Sequence, residues 1–223
     1  MQLPKPTSNL AHYYVSLRRG RRLWDLLSSR GRWAERWQRP IRPLILQHLD
    51  LHGGETVLDV GCGAGQHFGA LRTAVGAEGR VIGIDYSPGM VKQARELVER
   101  QGWRNVEVRR GDGSQPALEQ PDLARHDVDA AIATFAISAM PDVHTALQNV
   151  RDALCPGGRF LVIDLRLVPH GPSGILVRCL GLCYRLLAGW TGQDVLATLQ
   201  EIFDTVQVVR GGRSWVVIAV ATA

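Results

Sequence analysis

The sequence predicts an α/β fold: a doubly wound, mostly parallel sheet of seven strands that ends in an antiparallel C-terminal hairpin, with a helical arm before it. Three observations predict it. Short apolar runs rich in Val and Ile alternate with helix-patterned segments from residue 57 to residue 164, as expected of strands covered on both faces by crossover helices. The first run, Val57-Leu58-Asp59-Val60, opens into glycine at every second position, Gly61, Gly63 and Gly65, so strand, tight turn and helix follow one another. The chain closes on two β-patterned runs around Gly211-Gly212, a connection that suits antiparallel pairing and is too short for a crossover.

A chain of 223 residues holds one such domain with a sizeable core and a short appendage. Charge separates the two. Residues 1–43 carry ten Lys or Arg against Asp25 and Glu35, whereas residues 44–223 carry sixteen basic and nineteen acidic side chains, so the net +5 divides into +8 and −3. Residues 1–43 are therefore expected to form a basic amphipathic arm, a lid and not an independent domain, and residues 44–223 the domain proper. In the arm, Tyr13, Tyr14, Leu17, Leu23, Trp24, Leu27, Trp33 and Trp37 alternate with arginines, which suits one or two short helices. Such an arm can meet phosphate, a membrane surface or an acidic partner, or simply present a solvated helical face. Residues 1–9, with Pro4 and Pro6, are expected to lack fixed structure.

Pro40 and Pro43 punctuate the passage to a helix expected over Leu44 to Leu51, and Gly53-Gly54 turns the chain into strand one. After the glycines a helix is expected over residues 64–75. Val81-Ile82-Gly83-Ile84-Asp85 reads as strand two, and Ser87-Pro88 starts the next helix as cap and first-turn proline, running to about Gln101. Val106 to Arg109 is strand three, followed by Gly111-Asp112-Gly113; Val128 to Thr134 is strand four; Asp142 caps a helix reaching Ala153. Pro156-Gly157-Gly158 turns the chain into strand five, Arg159 to Asp164, and Val206 to Val209 and Ser214 to Val220 form the hairpin.

Cys62, Cys155, Cys179 and Cys183 form no CxxC pair, so neither a zinc site nor a disulfide framework is expected, and a reducing cytoplasm fits. Arginines interrupt residues 1–40 throughout, unlike a signal peptide. The longest apolar stretch, Ile175 to Trp190, contains Arg178 and Arg185 and is too short to span a bilayer. A cytoplasmic protein is expected, with peripheral membrane contact through this stretch left open.

In open α/β sheets the ligand lies across the carboxyl ends of the central strands. The glycine loop, Asp85 and Asp112 all fall there. Glycines let a loop curl beneath a ligand and let the main chain approach it closely, although dinucleotide-binding domains use the same device. Asp85 stands twenty residues beyond Gly65, where a carboxylate can accept hydrogen bonds from both hydroxyls of a ribose. Asp112 can accept from an exocyclic adenine amine. Either acid alone is equally a helix cap or a solvated turn; together they describe a nucleoside lying along the sheet edge.

On these residues the chain resembles the class I S-adenosylmethionine-dependent methyltransferases over about residues 50–223, which implies a Rossmann-like sheet. Asp59-x-Gly61-Cys62-Gly63-x-Gly65 matches their first motif, Asp85 their ribose-binding acid, Gly111-Asp112 their adenine-side motif, and Leu154-Cys155-Pro156-Gly157-Gly158 the turn before their fifth strand. The terminal hairpin is also theirs. The resemblance implies S-adenosylmethionine as cofactor and no metal. It places the methionine moiety over Gly61 and Gly63, packs Met90 on the adenine, and lines the cofactor with Thr134, Phe135 and Ala136. Cys62, Gly65, Tyr86 and Gly113 complete the set.

Methyl transfer from a sulfonium is an in-line displacement that depends mainly on alignment and exclusion of water. The Asn-Pro-Pro-Tyr type of signature used to methylate amino groups of DNA or protein glutamine is replaced by Ala133-Thr134-Phe135-Ala136-Ile137-Ser138. An apolar patch there suits a small lipophilic acceptor: a quinone precursor, a lipid amine or a secondary metabolite. The pattern looks most like the branch holding quinone-biosynthesis and phospholipid-amine methyltransferases, which also show a Pro-Asp helix start, as in Met140-Pro141-Asp142. His170, beyond strand five, and His12, in the arm, are the candidates for a general base, because imidazole titrates near neutrality; His67 is expected beside the cofactor. Two alternatives stand: an RNA methyltransferase that sets the arginine arm on phosphates, and an S-adenosylmethionine-binding protein without catalysis.

Overall fold

The computed structural model describes residues 39–114, 127–166, 179, 181–183, 192–210 and 215–223. The arm over residues 1–38 and most of the apolar stretch Ile175 to Trp190 lie outside the described residues. Helix α1 spans Arg42–Leu49, β1 Thr56–Val60, α2 Phe68–Val75, β2 Arg80–Asp85, α3 Pro88–Gln101, β3 Val106–Arg110, β4 Val128–Thr134, α4 Val143–Ala153, β5 Leu154–Leu165, α5 Val195–Ile202, β6 Thr205–Arg210 and β7 Val216–Thr222.

The seven strands form one sheet in the order β3-β2-β1-β4-β5-β7-β6. Strands β1 to β5 are parallel, and β7 inserts antiparallel between β5 and β6. The order reverses between β1 and β4, the switch point at which open sheets open a crevice. Period-two alternation divides the core between the faces. Leu58, Val60, Ala131 and Ala133 pack with α4 and α5, while Val57, Ala130 and Ile132 pack with α1, α2 and α3. Asp59 shares the second face by parity, beside Gly83 of β2 and Ile132 of β4 in register.

Local chemistry sets the helix starts. Ser87 Oγ accepts the Met90 N–H at 3.2 Å at the start of α3, and Asp142 accepts the Thr145 N–H at 3.0 Å at the start of α4. Several boundaries differ from expectation, three of them with a cause in the local structure. Helix α2 begins at Phe68 and not at residue 64, because Gly63 and Gly65 both take positive φ, +56° and +83°, and spend the intervening residues in turns. Helix α1 begins two residues early, at Arg42, and crosses the 43/44 position. The Pro156-Gly157-Gly158 turn lies inside β5: Leu154 pairs with Val128 and the register then jumps to Arg159 opposite Ala130. That excursion is fastened to the chain end, with the Gly157 N–H donating to Ala223 O at 2.8 Å and the Ala223 N–H to Gly158 O at 3.1 Å. The β6–β7 pairing is present, and its Gly211-Gly212 connection falls outside the described residues. Among the described residues no helix is long and apolar enough to cross a membrane.

Candidate functional site

The carboxyl ends of β1, β2, β3 and β4 carry the sequence-predicted residues. From β1 the chain turns at Gly61, whose N–H, with that of Cys62, donates to Ile84 O at 2.8 and 3.0 Å, so the loop is laid across the end of β2. Gly61 has φ +72°, and a Cβ there would collide with Ala136 of the β4 exit. Gly65 has φ +83°, and its Cβ would stand 2.6 Å from the Phe68 ring. Both positions therefore require glycine for conformation and for space.

Asp85 ends β2 with one-tenth or less of its surface exposed. Its Oδ2 accepts the Gly63 N–H at 2.9 Å and its Oδ1 the Ser87 N–H at 2.8 Å, so one carboxylate ties the glycine loop to the start of α3. The Gly111 N–H donates to Asp85 O at 3.1 Å, which brings the end of β3 to the same place. Asp112 is half-buried, and its Oδ1 takes both the N–H and the hydroxyl of Ser114, at 3.0 and 2.6 Å. Gly113 O accepts from Asn149 of α4 at 2.9 Å. Tyr86 is half-buried and Met90 buried at the opening of α3.

Beneath the loop lie groups whose charge burial controls. Asp59 is fully buried, neither of its oxygens has a hydrogen-bond partner among the described residues, and burial, reinforced by the nearby Asp85 carboxylate, pushes its pKa up to about 8. Cys62 is buried against Gly83, and burial followed by the Asp59 and Asp85 charges raises its thiol well above the ordinary value. It is a packing residue and not a nucleophile at neutral pH. His67 ends the loop, buried, with Nε2 3.1 Å from Thr134 Oγ1 at the end of β4. Burial and then the Arg42 charge hold its pKa down at about 4, so this imidazole is neutral and ties loop to strand. Arg42, at the start of α1, donates to Gln66 O at 2.7 Å and fixes the loop from outside.

At the end of β4, Phe135 takes a left-handed φ of +53°, and its N–H donates to Ile163 O at 2.7 Å. Phe135 and Ala136 are half-buried. The turn Ile137–Ala139 follows, held by Asp164 of β5: Ser138 N–H to Oδ2 at 2.9 Å and Ser138 Oγ–H to Oδ1 at 2.6 Å. The structure thus gathers Asp59, Gly61, Cys62, Gly63, Gly65, Asp85, Tyr86, Met90, Gly111, Asp112, Gly113, Thr134, Phe135 and Ala136 along adjacent strand ends. His170 and His12 lie outside the described residues. Arg42 and the Ser138–Asp164 pair are part of the same construction and escape sequence reasoning. The available signal for the last was an acid between Ile163 and Leu165, where an apolar run offers no solvent. Among the described residues no cluster of three or more His, Cys, Asp or Glu could hold a metal ion.

A doubly wound sheet with a reversed seventh strand, a glycine loop pressed on the β4 exit and acids at the next two strand ends define an α/β domain of the methyl-donor-binding kind. The family described as Methyltransferase domain matches residues 51–203, and the chain belongs to that family. It is similar to the arsenite methyltransferase of Halobacterium salinarum, 31% identical over 157 residues that make up 70% of this chain and 39% of that protein. It is also similar to the demethylmenaquinone methyltransferase of Geobacillus stearothermophilus, 32% identical over 114 residues, 51% of this chain and 47% of that one. Among solved structures, a SAM dependent methyltransferase from Aquifex aeolicus superposes with a TM-score of 0.57 at 25% identity, covering 81% of this chain and 89% of that chain. The aligned part spans about a third to a half of the length of the first curated relatives.

The cofactor of this fold is S-adenosylmethionine. The residues fit it: glycines 61 and 65 leave no room for a side chain in the loop, and a carboxylate is held ready at the end of β2.

Proposed function

We propose that the protein transfers the methyl group of S-adenosylmethionine to a small, lipophilic organic acceptor of the class of a quinone precursor, a lipid amine or a secondary metabolite. When bound, the cofactor would supply an electrophilic methyl on a positively charged sulfur, which leaves as a neutral thioether once the acceptor takes the methyl. Asp85 would receive the ribose hydroxyls, Gly61 and Gly63 would hold the methionine moiety, and Asp112 and Met90 the adenine. Asp85 suits its part because Gly63 and Ser87 hold its carboxylate in one orientation before any ligand arrives, and preorganised hydrogen bonding lowers the cost of binding.

The observation that carries the acceptor class is the β4 exit. The half-buried Phe135 and Ala136 follow Thr134 with neither a charge nor an amide between them, and Ala136 packs directly on Gly61. A polar acceptor would leave its own groups unpaired against such a wall, which costs about 1–3 kcal/mol for each buried group; an apolar one would not. Demethylmenaquinone in the name of one relative fits this class. His67 is an unsuitable base, being buried, engaged with Thr134 and held at a pKa of about 4, which makes it a weak proton acceptor near neutral pH. His170 and His12 keep that candidacy, and the 1–43 arm that of a lid over the acceptor.

The test is transfer of labelled methyl from S-adenosylmethionine in cell extract, followed by separation into lipid, small-molecule, RNA and protein fractions. Label in the lipid or small-molecule fraction is the expected outcome. Label in RNA or protein instead overturns the acceptor class, and no transfer to any fraction by a protein that binds the donor overturns catalysis.

A further inference from the structure

The Asp164 carboxylate is fully buried at the end of β5, one strand removed from the glycine loop, and no part of the donor reading uses it. It gathers the turn that follows β4. Ser138 donates its N–H to Oδ2 at 2.9 Å and its hydroxyl to Oδ1 at 2.6 Å, and the Leu165 N–H donates to Oδ1 at 2.7 Å. Ser138 is itself fully buried. Burying a carboxylate is costly unless its acceptor positions are filled, and sealing a turn is not enough to require one, since an apolar residue or a serine would cost less. What the turn carries supplies the reason. Just before it stand Phe135, in the left-handed conformation that is strained for a non-glycine residue, and Ala136, whose Cβ occupies the space that a side chain on Gly61 would need.

We propose that Asp164 is a positioning residue for the methyl-donor site: through Ser138 it holds Phe135 and Ala136 against Gly61 and so fixes the wall of the glycine loop on the side where donor and acceptor meet. This rests on the methyl-donor reading of the loop, but the mechanical link stands on the bonds alone. The carboxylate acts through another segment and touches neither ligand. Asp164→Asn keeps the volume but puts an amide N–H₂ where one carboxylate oxygen receives two donors or the other receives one, so at least one bond to Ser138 or Leu165 fails. Ser138→Ala removes only the hydroxyl bond and leaves the N–H in place.

Two measurements on the full chain test it. Hydrogen–deuterium exchange on the ligand-free protein should show faster exchange in Asp164→Asn at residues 135–139 and at 61–65, with residues 96–101, in the last turns of α3, unchanged. Calorimetric titration with S-adenosylmethionine should show affinity reduced about tenfold in Asp164→Asn, the scale of one lost charge-assisted bond, and less in Ser138→Ala. Faster exchange confined to 137–139, or spread evenly over the sheet, overturns the proposal, as does unchanged donor affinity. If Asp164→Asn does not fold, Ser138→Ala decides by the same two criteria. A wild-type protein that binds no S-adenosylmethionine overturns the methyl-donor reading, and the exchange pattern still decides whether Asp164 positions the loop.

Discussion

Replacing Asp59 by asparagine should alter how stability depends on pH more than it alters the fold. The carboxyl group is fully buried without a hydrogen-bond partner among the described residues, and burial followed by the Asp85 charge raises its pKa to about 8. The folded protein therefore keeps a proton that the unfolded chain releases above about pH 4, and stability falls as pH rises between those values by about 1.4 kcal/mol per pH unit. His67 works in the opposite direction. Its pKa is lowered to about 4, so between there and the ordinary histidine value the unfolded chain holds the extra proton and stability rises with pH. The two slopes cancel up to about pH 6.5 and Asp59 acts without this opposition above it, which leaves a loss of about 2 kcal/mol from pH 6.5 to pH 8. Asp164, also raised by burial, adds to the loss in the same direction. Subtracting the wild-type profile from that of Asp59→Asn removes the contributions of His67 and Asp164. Urea denaturation of the ligand-free proteins at pH 5, 6, 7 and 8 should show the variant gaining on the wild type by about 1.4 kcal/mol per pH unit. Parallel profiles would mean that Asp59 is ionised in the folded protein, and the argument from burial would fail.

Gly61→Ala should cost about 2–5 kcal/mol, the sum of a left-handed alanine and a collision with Ala136, read from the urea midpoint; a change under about 1 kcal/mol would show that the loop relaxes freely. Ser87→Ala removes the side-chain bond to the Met90 N–H at the start of α3 and should lower stability by about 1 kcal/mol, with Ser87→Asn restoring part of it. Equal losses in the two Ser87 variants would assign the effect to packing and not to capping.

The parts of this fold that depend on neighbours in sequence were legible in it. Val128–Thr134 is a strand from end to end, and Ser87-Pro88 and Asp142 start their helices as cap chemistry dictates. The start of α2 was not legible, because a glycine at 63 or 65 permits a helix or a left-handed turn and the choice is made by contacts with β2 and Phe68. Leu154 reads as a helix end but pairs with Val128 once the chain closes, and Pro156-Gly157-Gly158 becomes an excursion within a strand because Ala223 is there to bind it. At the site, the glycine spacing and the strand-end acids stood out. The proton on Asp59, the neutrality of His67 and the hold of Asp164 on Ser138 did not, since each depends on burial and on partners 26 or more residues away for the two pairs, Ser138–Asp164 and His67–Thr134.

The central claim is that the glycine loop and Asp85 form a binding site for S-adenosylmethionine, and calorimetric titration of that ligand into the wild type and into Asp85→Ala tests it most directly. The wild type should bind one equivalent. Asp85→Ala, with its fold checked by thermal melting, should bind about tenfold more weakly or worse, the scale of losing a charged hydrogen-bond partner. Absence of binding by the wild type, or equal affinity in a folded Asp85→Ala, would contradict the assignment.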